Sequence, residues 1–299
     1  SILSSQGAIS GGNIGTPISS MDTSAKIWLL ETSSFTLHYT KIASPNIYIL
    51  LPVSKDHIDW HGSYELYEQS KLYPLRMMKE GDVVILPKKY TNTPSNAYLI
   101  GYETSEDLAK YFDIDIKKIN FKEPFLIDAI LALAIEKILF FQASYDKLAS
   151  FKIDAHKIEE VQDTQARLWV NDSKATNTDA SLQAITRYKN KKIHLILGGD
   201  NKGIDLEAFI NEISIYNIKI YAIGKAKTII INLAAKYNIP HKTSDTLKSA
   251  IKDIHLVLNT KEVAMLSPAC ASIDQFSSYI ERGDVFKALI KQYDNPTIS

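Results

Sequence analysis

Cysteine is almost missing. Cys270 stands alone in 299 residues, which excludes an internal disulfide framework and fits a reducing compartment, with a small buried thiol as the plain reading of that one residue. An excess of charge of either sign is missing too. Thirty-four basic residues balance thirty-four acidic ones, so the electrostatic footprint of a nucleic-acid binder is absent and no generic polyanion partner is implied. No apolar run approaches the ~18 residues that a membrane helix needs. Ser1 to Ser20 are rich in Ser and Gly, without the charged start and apolar middle of a signal peptide. The expectation is a cytoplasmic protein with no membrane partner. No internal repeat or low-complexity tract occurs. The chain opens at SILSSQGAIS without a methionine, which reads as a fragment or a trimmed chain. Its length is long for one core, so two domains are expected.

What is present is alternation. Strand-like runs and helix-like segments follow one another from end to end, the pattern of βαβ units and parallel sheets, so the fold class is α/β. In the first half, strands are expected at Lys26 to Leu30, Asn46 to Leu51, Asp82 to Leu86 and Ala97 to Ile100. Helices are expected from Ser63 to Met78 and from Phe125 to Phe141. The pattern loosens between Ala143 and Thr164, and the domain boundary is placed near Lys157, giving domains 1–156 and 157–299. The second domain reads as a Rossmann-like order. It starts with strands Ile158 to Gln162 and Arg167 to Val170 and closes with strand Val263 to Leu266 and a helix from Val285 to Tyr293.

The chemistry gathers at strand ends. RLWVNDSKATN at 167–177 delivers Asp172, Ser173, Lys174 and Thr176 between a strand and a helix that starts near Thr178. In open parallel sheets ligands collect outside the carboxyl ends of the strands. The same residues also read as a capped helix, with Thr176 or Thr178 as N-cap and Lys174 solvated. Two further strand ends share the character: Gly198, Gly199, Asp200, Asn201 and Lys202 after one apolar run, and Ser267, Pro268, Ala269 and Cys270 after another. Glycines let backbone approach a ligand, and Lys202 adds a mobile ammonium.

In the first half, Glu31 closes the strand KIWLLE, where a carboxylate can serve a hard cation such as Mg²⁺ or simply be solvated. His57 follows the strand IYILLPV, beside Asp56 and Asp59, in a richer polar setting than a lone core histidine; His61 reads more readily as surface. Lys71 lies four residues after Tyr67 and four before Leu75, along the apolar face of its helix. An unpaired buried ammonium is costly, so the alternative is a snorkelling lysine whose head reaches water. GGNIG at 11–15 can bring backbone amides against phosphate or sugar oxygens, although a lone Gly-rich loop is weak evidence.

NDSKATN at 171–177, GGDNKG at 198–203, LSPACASIDQF at 266–276 and ERGDVF at 281–286 together resemble the Mur ligases. So do GGNIGTP at 11–17, ETSSF at 31–35, KDHIDWHGSYELYEQSK at 55–71 and the Ala155–His156 pair. The resemblance covers almost the whole chain. It implies a partial central domain with a P-loop-type parallel sheet, followed by a Rossmann-like C-terminal domain. It also implies a monomer that uses ATP to ligate D-glutamate to UDP-N-acetylmuramoyl-L-alanine through an acyl phosphate, in peptidoglycan precursor synthesis. By the same resemblance, Glu31, His57 and a carbamylated Lys71 hold Mg²⁺ at two sites, and His57 and Lys71 are the catalytic pair. Asn13 and Ser33 contact the UDP-sugar substrate, Asp172 and Lys174 the nucleotide, and Thr176, Lys202, Ser272 and Tyr279 the incoming amino acid.

The sequence departs from that family in three places. The GxxGK[ST] turn that cradles ATP phosphates does not precede GGNIG, so the chain as given is expected to be inactive. The long helix offers Pro124, Phe125 and Asp128 where asparagines usually stand near adenine, with Asp128 the remaining acceptor. Lys157 follows His156 where an arginine is usual, a point charge in place of a fork. Two rivals stay open. One is a related ligase for another amino acid or for a folate; the other is a non-catalytic module that keeps only the second domain's ligand site.

Overall fold

The computed structural model describes residues 2–294 except Ile14, Ala43 and Lys55, and leaves the side chain of Asp59 undescribed. The chain divides into two compact units, Ser1–Phe151 and Lys152–Ser299, each with its own core. Among the described residues no helix is long and apolar enough to cross a membrane.

The first unit runs β1 (Ala8–Gly12), β2 (Ile27–Glu31), α1 (Ser34–Tyr39), β3 (Ile47–Ile49), α2 (Ile58–His61), α3 (Tyr64–Leu72), β4 (Val83–Pro87), β5 (Tyr98–Tyr102), α4 (Ser105–Tyr111), α5 (Phe125–Phe140) and α6 (Tyr145–Ala149). β1 and β2 pair in parallel, with Gly12 opposite Glu31, and β3, β4 and β5 form a separate parallel sheet. Val84, Ile85 and Leu86 of β4 are wholly buried, as a strand covered on both faces requires. The apolar helix α5 buries Leu126, Ile130, Leu133 and Ala134 in the larger core, with Ile85 and Ile100 among their partners. The helix expected to reach Met78 stops at Leu72 and gives way to a short 3-10 turn over Tyr73–Arg76. Pro74 has no amide to donate to an α-helical ladder, which ends it there.

The second unit runs β6 (Glu159–Gln162), β7 (Leu168–Asn171), α7 (Thr178–Arg187), β8 (Ile193–Gly198), α8 (Glu207–Ile213), β9 (Ile218–Ile223), α9 (Lys227–Lys236), β10 (His241–Asp245), α10 (Leu247–His255), β11 (Val263–Leu266) and α11 (Tyr279–Asp294). These strands form one sheet in the order β10-β9-β8-β11-β7-β6, parallel except for β6 at the edge. All six residues of β8 are buried, which fits its central place. β10, with the polar sequence HKTSD and only Ser244 buried, is an edge strand that apolar patterning does not reveal. α11 starts at Tyr279 rather than at Val285 and places Arg282, Phe286, Leu289 and Ile290 on its buried face.

Candidate functional site

In the second unit β11 pairs with β7 on one side and with β8 on the other, so three carboxyl ends lie side by side at Asn171, Leu266 and Gly198. Asp172 prolongs the β7 ladder by donating its amide to Leu266 O at 2.8 Å. Its carboxylate accepts the Ser267 hydroxyl at 2.6 Å and the Ile158 amide at 3.2 Å. The residue is only 5% exposed, and burial pushes its carboxyl up to about 7, against the pull of those hydrogen bonds and of Arg282. Both carboxylate oxygens are therefore engaged inside the protein. Lys174 is half-buried with its ammonium 5.9 Å from the Tyr279 ring centre. Thr176 is exposed. Neither Thr176 nor Thr178 caps α7: Asn177 does, its side chain accepting from Ala180 N at 2.9 Å. An Asn caps as well as a Thr does.

The turn after β8 is locked to the turn after β11. Asp200 N donates to Ala271 O, and Ala271 N returns the bond to Asp200 O, each at 2.9 Å. A Cβ on Gly199 would stand 2.2 Å from Ala271 O, so this lock admits only glycine. Lys202 is exposed, in a left-handed conformation with φ 49°, and its amide donates to Asp200 Oδ1 at 2.9 Å. Ser272 is buried and opens a turn rather than a helix, its carbonyl accepting from Gln275 N and Phe276 N. Tyr279 is the first residue of α11, with its carbonyl accepting from Ser173 Oγ at 2.8 Å. Cys270 is buried, and burial pushes its thiol up to about 12, which leaves it inert as a nucleophile.

Arg282 joins these pieces, and reading the sequence for strand ends overlooks it. Its guanidinium donates to Ser173 Oγ at 2.9 Å, Ser173 O at 2.8 Å and Cys270 O at 3.1 Å. The signal was available: Arg282, Phe286 and Leu289 follow the i, i+4, i+7 spacing of one helical face. Alongside lies a polar knot in which Asn171 Nδ2 reaches His156 Nδ1 and Glu159 Oε2, both at 2.9 Å.

In the first unit Glu31 ends β2 and Asn13 follows β1. Asn13 donates its amide to Glu31 O at 2.8 Å and its Nδ2 to Glu31 Oε1 at 3.1 Å, which sets the two expected ligand residues side by side. Ser33 caps α1 by accepting from Thr36 N. His57 is exposed with a left-handed backbone, φ 51°, and its ring lies 4.8 Å from that of Phe35 and 3.6 Å from Asp56 Oδ1. The Asp59 side chain of the expected trio lies outside the described residues. His61, expected at the surface, is buried: Nε2 meets Ser34 Oγ at 3.0 Å, and desolvation, followed by repulsion from His38, His57 and Lys71, lowers its pKa. The helical turn 58–61 folds the ring inward among Phe35, Trp60 and Tyr67. Lys71 is half-buried with its ammonium 5.3 Å from the Tyr67 ring centre. Burial lowers its pKa while Asp56 opposes the shift. Asp128, the expected adenine acceptor, is exposed in the first turn of α5.

Glu31 offers the oxygen ligands that a hard cation takes, whereas the His57 imidazole is a softer donor, and burial of Lys71 favours the neutral amine that carbamylation requires. By contrast, a tighter group of ligand-type atoms, Asp163, His255 and Asp294, is already answered by a protein cation. Arg167 places Nε 2.6 Å from Asp163 Oδ2, and Nη2 2.9 Å from His255 Nδ1 and 3.7 Å from Asp294 Oδ1.

The fold is that of a two-unit α/β protein in which Asn13, Glu31, Asp172, Lys174 and Lys202 lie at or just beyond the carboxyl ends of parallel strands. Residues 13–123 match the model described as the Mur ligase middle domain. UDP-N-acetylmuramoylalanine–D-glutamate ligase of Campylobacter jejuni subsp. jejuni serotype O:6 is 54% identical over 291 residues, covering 97% of this chain and 72% of that protein. The ligase of the same name from Helicobacter pylori strain J99 is 45% identical over 298 residues, covering 95% and 71%. Among solved structures, MurF ligase from Thermotoga maritima in complex with ADP superposes with a TM-score of 0.67 at 16% identity, over 98% of this chain and 75% of that one. E. coli FolC in complex with DHPP and ADP gives 0.60 at 14%, over 88% and 66%. The two structural likenesses speak for the fold. The chain belongs to the Mur ligase family.

Proposed function

We propose that this protein ligates D-glutamate to UDP-N-acetylmuramoyl-L-alanine at the expense of ATP, as a cytoplasmic monomer in peptidoglycan precursor synthesis. The γ-phosphoryl group passes from ATP to a carboxylate oxygen of the alanine, leaving ADP. The D-glutamate amine then attacks the acyl carbon, loses a proton and expels phosphate. Little covalent work falls to the protein: it neutralises charge and aligns an amine with an acyl group. The first unit serves as the ATP-binding-type domain and the second as the amino-acid-binding domain. Glu31, His57 and carbamylated Lys71 would hold Mg²⁺, which supplies charge neutralisation when bound. Asn13 and Ser33 meet the UDP-sugar, Lys174 and Asp128 the nucleotide, with Asp172 ordering the loop that carries Lys174. Thr176, Lys202, Ser272 and Tyr279 receive D-glutamate.

The observation that supports this reading is the backbone lock between Asp200 and Ala271, which ties the turn that carries Lys202 to the turn that carries Ser272 on neighbouring strands. D-Glutamate brings two carboxylates, and a charge-neutral chain must meet them with local donors. Steady-state kinetics of the complete gene product test it. Lys202→Ala should raise the D-glutamate KM by about 10- to 100-fold, the loss of a charge-assisted hydrogen bond, with the ATP KM little changed. A solvated lysine predicts less than about 0.5 kcal/mol, and that result would move the amino-acid site elsewhere. In the same assay Lys71→Ala should be nearly inactive and regain turnover with acetate or formate; full activity without them removes the carbamate.

A further inference from the structure

Arg282 is 1% exposed, and among the described residues no carboxylate lies within ion-pair distance of it. A buried cation whose direct acceptors are neutral is expensive, and burial lowers its pKa to about 10, with Cys270 and the more distant Asp274 and Asp172 pulling the other way. Burying a charge without a close counter-ion costs more than burying a hydrocarbon, so stability alone does not explain the arginine. Its acceptors are informative. Two belong to Ser173, which stands between Asp172 and Lys174, and the third is the carbonyl of Cys270, on the turn that carries Ser272. The Ser173 hydroxyl that accepts from Arg282 donates its own hydrogen bond to Tyr279 O. One side chain thus connects the segment after β7, the segment after β11 and the start of α11.

We propose that Arg282 is a positioning residue that sets the spacing between the nucleotide-side residues at 172–174 and the amino-acid-side residues Ser272 and Tyr279. This rests on the function proposed above. Buried as it is, the guanidinium aligns the groups that touch substrates instead of touching them itself. Its planar fork fixes three acceptors at once, which an ammonium cannot do. Each half of the site keeps its own contacts when the fork is lost; what changes is the distance between them.

The test compares wild type, Arg282→Lys, Arg282→Met and Ser173→Ala in the complete gene product. It measures kcat, the KM values for ATP and for D-glutamate, and urea unfolding, with rates normalised to folded protein. A misplaced pair of bound reactants should lower kcat by about 10- to 100-fold in Arg282→Lys while both KM values stay within about threefold. Ser173→Ala, a small truncation that keeps the fold even where Arg282→Met does not, should shift kcat in the same direction. Combining it with Arg282→Lys should cost less than the product of the single effects. A lower unfolding midpoint with unchanged kcat per folded molecule, or strictly multiplicative effects, overturns the proposal. Wild type that turns over another amino acid and ignores D-glutamate defeats the function above instead, and the kcat–KM comparison is then read with that amino acid.

Discussion

Asp172 is a carboxylate held away from water by the segment that follows β7, and its protonation follows from that. Burial raises its folded-state pKa to about 7, from 3.8 when exposed. Between those values the folded state keeps a proton that the unfolded chain releases, so this contribution to stability is whole below pH 4 and lost as pH rises to 7. At about 1.36 kcal/mol per pKa unit the loss amounts to about 4 kcal/mol at most. Asn is isosteric and cannot ionise. Its oxygen can accept from Ile158 N while its amide donates to Ser267 Oγ. Asp172→Asn should therefore gain stability relative to wild type as pH climbs from 5 to 8, read from urea midpoints at the two pH values. A constant difference would show that Asp172 is ionised throughout. At this scale the sequence was half-legible. Lys202 and Thr176 announce themselves as polar residues at strand ends and are exposed, whereas Asp172 looks the same in sequence and turns inward. Ser267, the partner that turns it, lies 95 positions away.

Elements were legible where burial is symmetric or strictly one-sided. β11 is an unbroken apolar run in the middle of a sheet, β8 is apolar apart from His194 and its closing glycine, and α10 repeats Leu247, Ala250, Ile251 and Ile254 on one face. β10 was invisible because an edge strand buries so little. The first turn and a half of α11 was invisible because its inner face carries Arg282 and Gly283 in place of hydrocarbons. Gly283 has a packing reason: a Cβ there would sit 2.2 Å from His156 Nδ1 and 3.0 Å from Asn171 Oδ1. Ala is the better helix former by about 1 kcal/mol, yet overpacking of a filled site costs about 1–3 kcal/mol. Gly283→Ala should accordingly lower the unfolding free energy, against helix propensity. Chemical denaturation that shows the variant as stable as wild type would mean that the knot of His156, Asn171 and Glu159 relaxes without cost.

On the scale of the whole molecule, the question is where one cooperative unit stops and the next starts. Composition loosens from Ala143 onward and suggests a boundary at Lys157. Hydrogen bonds put His156 to Ile158 with the second unit: His156 N donates to Glu159 Oε2 at 3.0 Å, Ile158 N to Asp172 Oδ1, and Lys174 N to His156 O at 3.0 Å. Phe151 and Lys152 are exposed and lie outside any helix or strand. Each unit has an apolar core of its own, around Ile130 and Leu133 in the first and around Trp169, Tyr221 and Phe286 in the second. A stretch of backbone with few bonds is where proteases cut first, and a unit with its own core can fold alone. Brief trypsin treatment should cleave after Lys152 well before Lys157. The piece that starts at Ile153 should keep a single sigmoidal thermal transition, followed by far-UV circular dichroism. First cleavage at Lys157 would put 152–157 outside the second unit. A released piece that melts without a cooperative transition would mean that the second core depends on residues before Lys152.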